Sequence, residues 1–284
     1  MAALRDAPRV ALVMSIAVIA LIATDAAVAV TRTAGSSSPR SAVAVTGSPR
    51  ATSSEPAGAV SPTASPSPDK SAQRKAESDQ AQALLTRALT NALAKGSVHA
   101  VARTVSKKIG TATFDDYDTA TGGIQHISIY GGNVTVRVVG TRTYFRGDKR
   151  GLTRYMGFTA DEVAVLHHQW LSLRAGEAGY KAVTEGVTIA STLHEDRIIA
   201  PFRLLPQRTV NGVAVVGVQG HAAGAGAPKR AIATMWISTG DDPLPVKFVA
   251  ANHGVRLTQS FSDWGTPVHL TKPANVFGDK TVSG

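Results

Sequence analysis

The sequence contains no cysteine among its 284 residues. Without cysteine the chain cannot form disulfides or a thiolate metal site, and it cannot carry a lipid on an N-terminal cysteine. This absence is compatible with export, because a domain of this length can bury a core of ordinary size without covalent cross-links.

Aromatic residues are also scarce, at 5% of the sequence, and the basic residues do not gather into a dense run. The formal net charge of +10 would suit an acidic partner such as nucleic acid or an anionic membrane surface. However, no recognised nucleic-acid-reading motif accompanies the charge. We therefore expect a generally basic, solvated surface and no nucleic-acid partner.

No motif of a catalytic or metal site stands out. The sequence has no phosphate-binding glycine loop and no G-x-S-x-G nucleophile elbow. His167 and His168 are adjacent, so on a helix they would point about 100° apart, with no partner at i+4 for a metal. Asp115, Asp116 and Asp118 lack the glycine and glutamate of a calcium loop, so we interpret them as solvated carboxylates at a hairpin tip. We predict no enzyme activity, no cofactor and no metal.

The first 30 residues have the layout of an export signal. Two arginines precede an uncharged, mostly apolar run over residues 10–24, and Ala27-Val28-Ala29 supplies a small-residue cleavage site after Asp25. The stretch from Val10 to Val30 is also about long enough to cross a bilayer if the aspartate is tolerated near its outer end. We favour a signal peptide, with an uncleaved signal anchor as the alternative.

Residues 31–70 are rich in Ser, Pro, Thr and Ala and contain no Leu, Ile or aromatic residue. Such a segment cannot bury enough apolar surface to offset the entropy lost on ordering. We predict a disordered linker here, followed by one folded domain over residues 71–284.

The folded domain should begin with a helix over residues 71–95. Gly96 follows it, where the left-handed residue of a helix end is expected. The apolar stripe of this helix consists of Ala81, Leu85, Ala88 and Ala92.

A second helix should begin at Thr159, which can form a capping box with Glu162. A weaker helical stretch follows over residues 181–197. The apolar face predicted for the second helix consists of Val163, Leu166, Trp170 and Leu173.

Alternating apolar and polar residues predict antiparallel strands in the rest of the domain. Asn211-Gly212 predicts the turn of a hairpin between residues 202–208 and 213–219. In the strand around residues 231–237 both faces are apolar, because Ile232 and Trp236 lie opposite the other apolar residues; this strand should be covered on both sides. Five earlier strands are expected at about 98–107, 111–118, 124–130, 133–139 and 141–146.

The order of these elements resembles that of the LolA-like and LppX/LprG-type cell-envelope lipoproteins of actinobacteria. The resemblance covers about residues 79–273 and rests on Trp236-Ile237-Ser238, on residues 242–247 (DPLPVK) and on residues 261–273 (FSDWGTPVHLTKP). It implies an α+β fold, in which a curved antiparallel β half-barrel has helices packed on its concave face around an apolar cavity for acyl chains. The family usually carries a lipobox cysteine. This chain lacks one, which excludes anchoring by a lipid.

We therefore expect an exported, non-enzymatic binding protein that holds a lipid or another long apolar ligand in the half-barrel and carries it across the cell envelope. It should reside on the extracellular side of the cytoplasmic membrane or in the cell wall. Its expected partners are a lipid or acyl-chain ligand, a membrane surface and another envelope protein. The predicted cavity wall, facing the concave side, consists of Val136, Val163, Leu166, Trp170, Ile232 and Trp236.

The alternative function is a membrane-anchored extracytoplasmic sensor or protein-interaction module whose sheet docks another envelope protein. An enzyme is the third hypothesis. It would require an acid and a base brought together from distant strands, and the sequence does not show such a pair.

Amino-terminal sequencing of the exported protein separates the carrier from the anchored sensor. We expect the mature chain to start near Val30, because Ala27-Val28-Ala29 forms the cleavage site. An intact amino terminus recovered from the membrane fraction would instead support the anchored sensor.

Overall fold

The computed structural model describes residues 70–223, 231–252 and 254–277. The predicted signal segment lies outside these residues, and so does the predicted linker except for Lys70. No helix within the described ranges is long and apolar enough to cross a membrane.

The described chain forms one curved, unclosed antiparallel sheet of eleven strands, which confirms the predicted α+β half-barrel. Its order is β6-β5-β4-β3-β2-β1-β11-β10-β9-β8-β7. Every ladder joins strands that are consecutive in sequence, except the pairing of β1 with β11. The strands are β1 Ser97–Ser106, β2 Gly110–Thr119, β3 Gly123–Ile129, β4 Gly132–Val139, β5 Arg142–Gly147, β6 Leu171–Arg174, β7 Ile198–Val210, β8 Val213–Ala222, β9 Ile232–Ser238, β10 Pro245–Asn252 and β11 Val255–Ser262.

Helices cover the concave face of this sheet. The helices are α1 Lys70–Lys95, α2 Ala160–Leu166, α3 Tyr180–Thr184 and α4 Ile189–Glu195, with a π-helical turn at Gly151–Tyr155. The residues that α1 buries confirm the predicted stripe: Ala81, Leu85, Ala88 and Ala92. Gly96 ends this helix with a φ of +76°, as expected for a left-handed residue.

The alternation of side chains along each strand builds a common core. Val134, Val136 and Val138 of β4 face this core, while Thr135 and Arg137 between them point to the outer face. The same core receives side chains from all eleven strands and from α1, so its side of the sheet is the concave one. Consequently each strand separates an inner set of side chains from an outer set.

The predicted second helix is shorter than expected. The capping box of Thr159 and Glu162 is present, but the helix ends at Leu166, and His168 takes a left-handed φ of +65°. The chain then continues as β6, which pairs with β5. The stripe prediction is therefore wrong for Trp170 and Leu173, because alternation in the sequence Leu-Ser-Leu from residue 171 marks a strand.

The helical stretch predicted over residues 181–197 is two short helices. Gly186 interrupts it with a φ of +77°, and Thr188 starts the second helix by forming a capping box with Ser191. By contrast, the predicted hairpin turn is confirmed, because Asn211 and Gly212 both have positive φ between β7 and β8.

The close packing of α1 on the sheet can be tested by placing a larger side chain in its buried stripe. Ala88 is fully buried, so Ala88→Leu forces extra methylene groups into a packed interface and should lower the free energy of unfolding by about 1–3 kcal/mol. Urea unfolding measures the change. Ala83→Leu is the matched control, because Ala83 is exposed on the same helix and should change stability by about 0.5 kcal/mol or less. Equal stability of the two variants would contradict this packing.

Candidate functional site

The six predicted wall residues do not form one wall. Val136 and Val163 lie in the main core, and Leu166 is buried at the end of α2. The other three predicted wall residues are on the outer face of the sheet. The two sets of residues are therefore separated by the thickness of the sheet.

Ile232 and Trp236 lie on the outer face of β9, so their placement on the concave wall was wrong. Ala233 and Met235, on the opposite face of the same strand, belong to the main core. Ile232 is 45% exposed, whereas Trp236 is buried in a separate outer cluster, under the guanidinium of Arg208 at 3.3 Å from its ring centroid. Both faces of this strand are apolar, so alternation could not tell which of them faces the helices.

Trp170 also packs on the outer face, which corrects its predicted position on the concave wall. It contacts Tyr144 of β5 and Val276 of the C-terminal segment. Its ring lies 5.1 Å from the guanidinium carbon of Arg137 and 4.8 Å from that of Arg146. The reason is the early end of α2, which places Trp170 beyond the helix.

A small cavity with many polar groups lies on the concave side, whereas the resemblance implied an apolar cavity. Its volume is about 40 Å³, which is room for a few water molecules but not for an acyl chain. It lies between the sheet and the end of α4. Its lining consists of Ala102, Phe114, Asp116, Gln125, Gly186, Thr192, Glu195, Asp196, Leu257 and Gln259.

Two carboxyl groups reach this region from the C-terminal half of β2. Asp116 and Asp118 are only 4% and 0% exposed, so their interpretation as solvated carboxylates at a hairpin tip was wrong. They follow Ala112 and Phe114 at a spacing of two on the face of the strand that points inward. This alternation was the signal in the sequence that could have placed them in the interior.

The facing carboxyl groups come from the end of α4. Glu195 and Asp196 line the cavity, and Thr192 of the same helix donates a hydrogen bond of 2.6 Å to Oδ2 of Asp118. Gly186 allows the close approach of Glu195, because a Cβ there would lie 3.1 Å from its Oε1. Several buried carboxyl oxygens have no hydrogen-bond partner among the described residues: Asp116 Oδ1, Asp118 Oδ1, Glu195 Oε1 and Asp196 Oδ2.

The electrostatics of this site keep protons on the acids. Burial raises the pKa of Asp118 to about 7, and burial together with the charge of Glu185 raises the pKa of Glu195 to about 8. Burial also raises the pKa values of Asp116 and Asp196 well above the ordinary range, with further contributions from neighbouring acids. No salt bridge within the described ranges involves these groups. The cluster is therefore largely neutral below about pH 7.

The arrangement is suited to holding protons and poorly suited to catalysis. Two acids with pKa values near neutrality could in principle serve as a general acid and base, but the cavity has no room for a substrate beside them. In the part of the chain that the structure describes, no three His, Cys, Asp or Glu side chains are arranged to hold a metal ion. Ionisation of these acids would place negative charges on both sides of the cavity. The repulsion between them would favour separation of α4 from the sheet.

Comparison with solved structures finds several distant neighbours. The chain is similar to the lipoprotein LppX of Mycobacterium tuberculosis, with 16% identity, a TM-score of 0.47 and coverage of 68% of this chain and 99% of that one. It is similar to LprF of Mycobacterium bovis, with 16% identity, a TM-score of 0.46 and coverage of 69% and 98%. A LolA superfamily protein of Nitrosomonas europaea has 11% identity, a TM-score of 0.25 and coverage of 64% and 91%. These proteins are of the type that the sequence resembles. No protein-family model and no curated protein matches the sequence.

The buried acids generate a prediction about pH. In the unfolded chain Asp118 and Glu195 would lose their protons near pH 4, whereas the folded protein holds them to about pH 7 and about pH 8. The folded state therefore binds more protons between these limits, and its stability should be greatest near pH 4 and fall as the pH rises towards 8. Each such carboxyl contributes a slope of about 1.4 kcal/mol per pH unit. Urea unfolding across this range measures the slope.

The variant Glu195→Gln isolates one part of this effect. It removes one proton-binding group while keeping the shape of the side chain, so its slope should be less steep than that of the original protein. Glu77→Gln, at an exposed position of α1, should keep the original slope. The acids and the phenol that face or adjoin Glu195 stay in place in both variants: Asp116, Asp118, Tyr155, Glu185 and Asp196. The same slope in both variants would rule out a raised pKa at Glu195.

Proposed function

We propose that this chain is an exported, non-enzymatic binding protein that holds a lipid or another long apolar ligand on the concave face of its half-barrel and carries it across the cell envelope. The observation that carries the proposal is that one segment on that face consists of short helices packed over buried carboxyl groups that lack hydrogen-bond partners. This cover segment comprises residues 180–196, with α3, α4 and the turn between them. The signal layout of the first 30 residues supports the export part of the proposal.

The contact between the cover segment and the sheet is apolar around a polar centre. The cover segment buries Val183, Val187, Ile189 and Leu193 in the main core. Around this polar centre the sheet presents apolar side chains, among them Ala102, Phe114 and Leu257. If the cover segment moves away, this apolar surface becomes available to a ligand. An acyl chain gains about 0.8 kcal/mol for each methylene group that it buries there.

Several features favour movement of the cover segment away from the sheet. Its helices have five and seven residues, which is too short for a helix to be stable without tertiary contacts. Its contact with the sheet contains carboxyl oxygens without hydrogen-bond partners, and each buried unsatisfied group costs about 1–3 kcal/mol. Thr192 donates a hydrogen bond to Oδ2 of Asp118, but Oδ1 of the same carboxyl group has no partner among the described residues. For a segment packed in this way, the free energy of local opening is lower than the free energy of unfolding of the sheet.

The acids also give the opening a dependence on pH. Protonated, Glu195 and Asp118 allow the cover segment to stay seated. As the pH rises through about 7 and 8 they ionise at close range, which favours the open state. Binding to the concave face requires this open state, so the apparent affinity should follow its population.

The test uses the complete mature protein and a neutral long-chain ester that carries a fluorophore, since a neutral probe does not titrate itself. After extraction with organic solvent, we expect the refolded protein to bind this probe about tenfold more tightly at about pH 8 than at about pH 5, a change equal to about 1.4 kcal/mol. Native mass spectrometry of the protein before extraction should show a co-purified apolar compound.

Glu195→Gln should bind the probe at about pH 8 more weakly than the original protein, because its cover segment keeps a neutral side chain at this position. Glu77→Gln should behave like the original protein. If neither a co-purified compound nor probe binding is found at either pH, the proposed function is wrong. If binding is found but does not change with pH, the acids do not control the cover segment.

A further inference from the structure

A second cleft lies on the outer face of the sheet, away from the cover segment. It runs between β4, β5 and the C-terminal segment and has a volume of about 520 Å³. Its lining is rich in groups that donate hydrogen bonds or carry positive charge. These residues are Arg137, Arg146, His168, Gln169, Trp170, Pro273, Ala274 and Asn275.

The two arginines are fixed in place by one ring. Arg137 projects outward from β4 and Arg146 from β5, and both guanidinium groups lie about 5 Å from the centroid of Trp170. The ring packs against Tyr144 and Val276. The backbone beside it is held as well, because the carbonyl of Trp170 accepts a hydrogen bond of 2.7 Å from the amide of Phe277. Cation–π contacts therefore bring two positive charges to one cleft without neutralising either of them.

The charges of these two arginines are not paired with an acid in the part of the chain that the structure describes. The Nε of Arg137 is buried and has no hydrogen-bond partner. Other arginines differ in this respect: Arg203, for example, donates a 2.8 Å hydrogen bond to Gln219. A buried guanidinium donor without an acceptor is costly, and this donor belongs to an arginine that lines the cleft.

The polar rim of the cleft fits the same kind of partner. Gln169 and Asn275 add amide donors next to the guanidinium groups. His168 is held beside them in a left-handed conformation by the hydrogen bond of 3.0 Å from its amide to the carbonyl of Gly147. Guanidinium groups arranged in this way match the planar or tetrahedral oxygens of carboxylates and phosphates.

We propose that this outer cleft binds an oxyanion, a phosphate or carboxylate group presented either by a small molecule or by a lipid headgroup. The site is independent of the proposed ligand on the concave face, because Arg137 and Arg146 lie on the opposite side of the sheet from Val136 and Phe145. A ligand on the concave face and an oxyanion in the cleft can therefore be bound at the same time.

Two binding measurements on the mature protein distinguish the sources of the oxyanion. The first is calorimetric titration with inorganic phosphate at constant ionic strength. The second is sedimentation with vesicles of phosphatidylglycerol and phosphatidylcholine, compared with vesicles of phosphatidylcholine alone. Binding of phosphate without preference for the anionic vesicles assigns the cleft to a small molecule. Selective binding of the anionic vesicles assigns it to a lipid headgroup.

The double variant Arg137→Gln and Arg146→Gln should weaken the observed binding by about tenfold or more, because each charge-assisted hydrogen bond contributes on that scale. The control is Arg203→Gln with Arg208→Gln, which removes the same charge on β7 and also breaks an arginine–tryptophan contact, that of Arg208 with Trp236. The control should bind like the original protein. Equal losses in the two double variants, or no binding of either phosphate or anionic vesicles by the original protein, would overturn the proposal.

A measurement on the unmodified protein avoids any effect of the substitutions on folding. Addition of phosphate should shift the NMR signal of the Trp170 indole and leave those of Trp236 and Trp264 in place, since only Trp170 lines the cleft. The Trp170 signal is identified by its loss in Trp170→Phe. A shift shared equally by the three tryptophans, or absent from Trp170, would also count against the cleft.

Discussion

The antiparallel pairing of β1 with β11 is the constraint on which the rest of the fold depends. All other ladders of the described sheet join consecutive strands and can form as local hairpins or meanders. This one joins strands separated by most of the domain, from His99 opposite Ser262 to Ser106 opposite Val255. It turns two separate groups of strands into one curved sheet, and only the joined sheet has a concave face broad enough to hold α1 and the cover segment. The pairing also brings Leu257 and Gln259 beside Ala102, at the floor of the polar cavity.

The two ends of the concave face are filled differently. Where α1 docks, the helix offers alanines that allow close approach, and its stripe is buried without polar groups. Where the cover segment docks, Asp116 and Asp118 face Glu195 and Asp196. Apolar residues of similar size would stabilise this second contact, since buried unpaired acids cost free energy and form no salt bridge here. The acids therefore lower the stability of this contact instead of adding to it.

The sequence predicted the features of this structure that depend on local signals. The spacing of Ala81, Leu85, Ala88 and Ala92 gave the docked face of α1, and Asn211-Gly212 gave the turn between β7 and β8. Alternation along a strand shows that two faces differ, but the choice of the inner face depends on the curvature of the whole sheet. For this reason Trp236 was placed on the wrong side of β9. Asp116 was misplaced because its charge outweighed its position two residues after Phe114, and no local rule predicts that facing acids stay protonated.

The positions of the tryptophans explain how the cover segment can move without loss of the sheet. Trp170 packs on the outer face of β4 and β5, and Trp236 on that of β8 and β9, each beside an arginine. These aromatic contacts stabilise the two halves of the sheet from outside, so they would remain intact if residues 180–196 left the concave face as proposed. The hydrogen bonds of the ladders are likewise independent of the cover segment, which contributes no strand to the sheet. The proposed opening of the concave face would therefore be a local transition, whose free energy depends on a few buried apolar side chains and on the protonation of the acids beneath them.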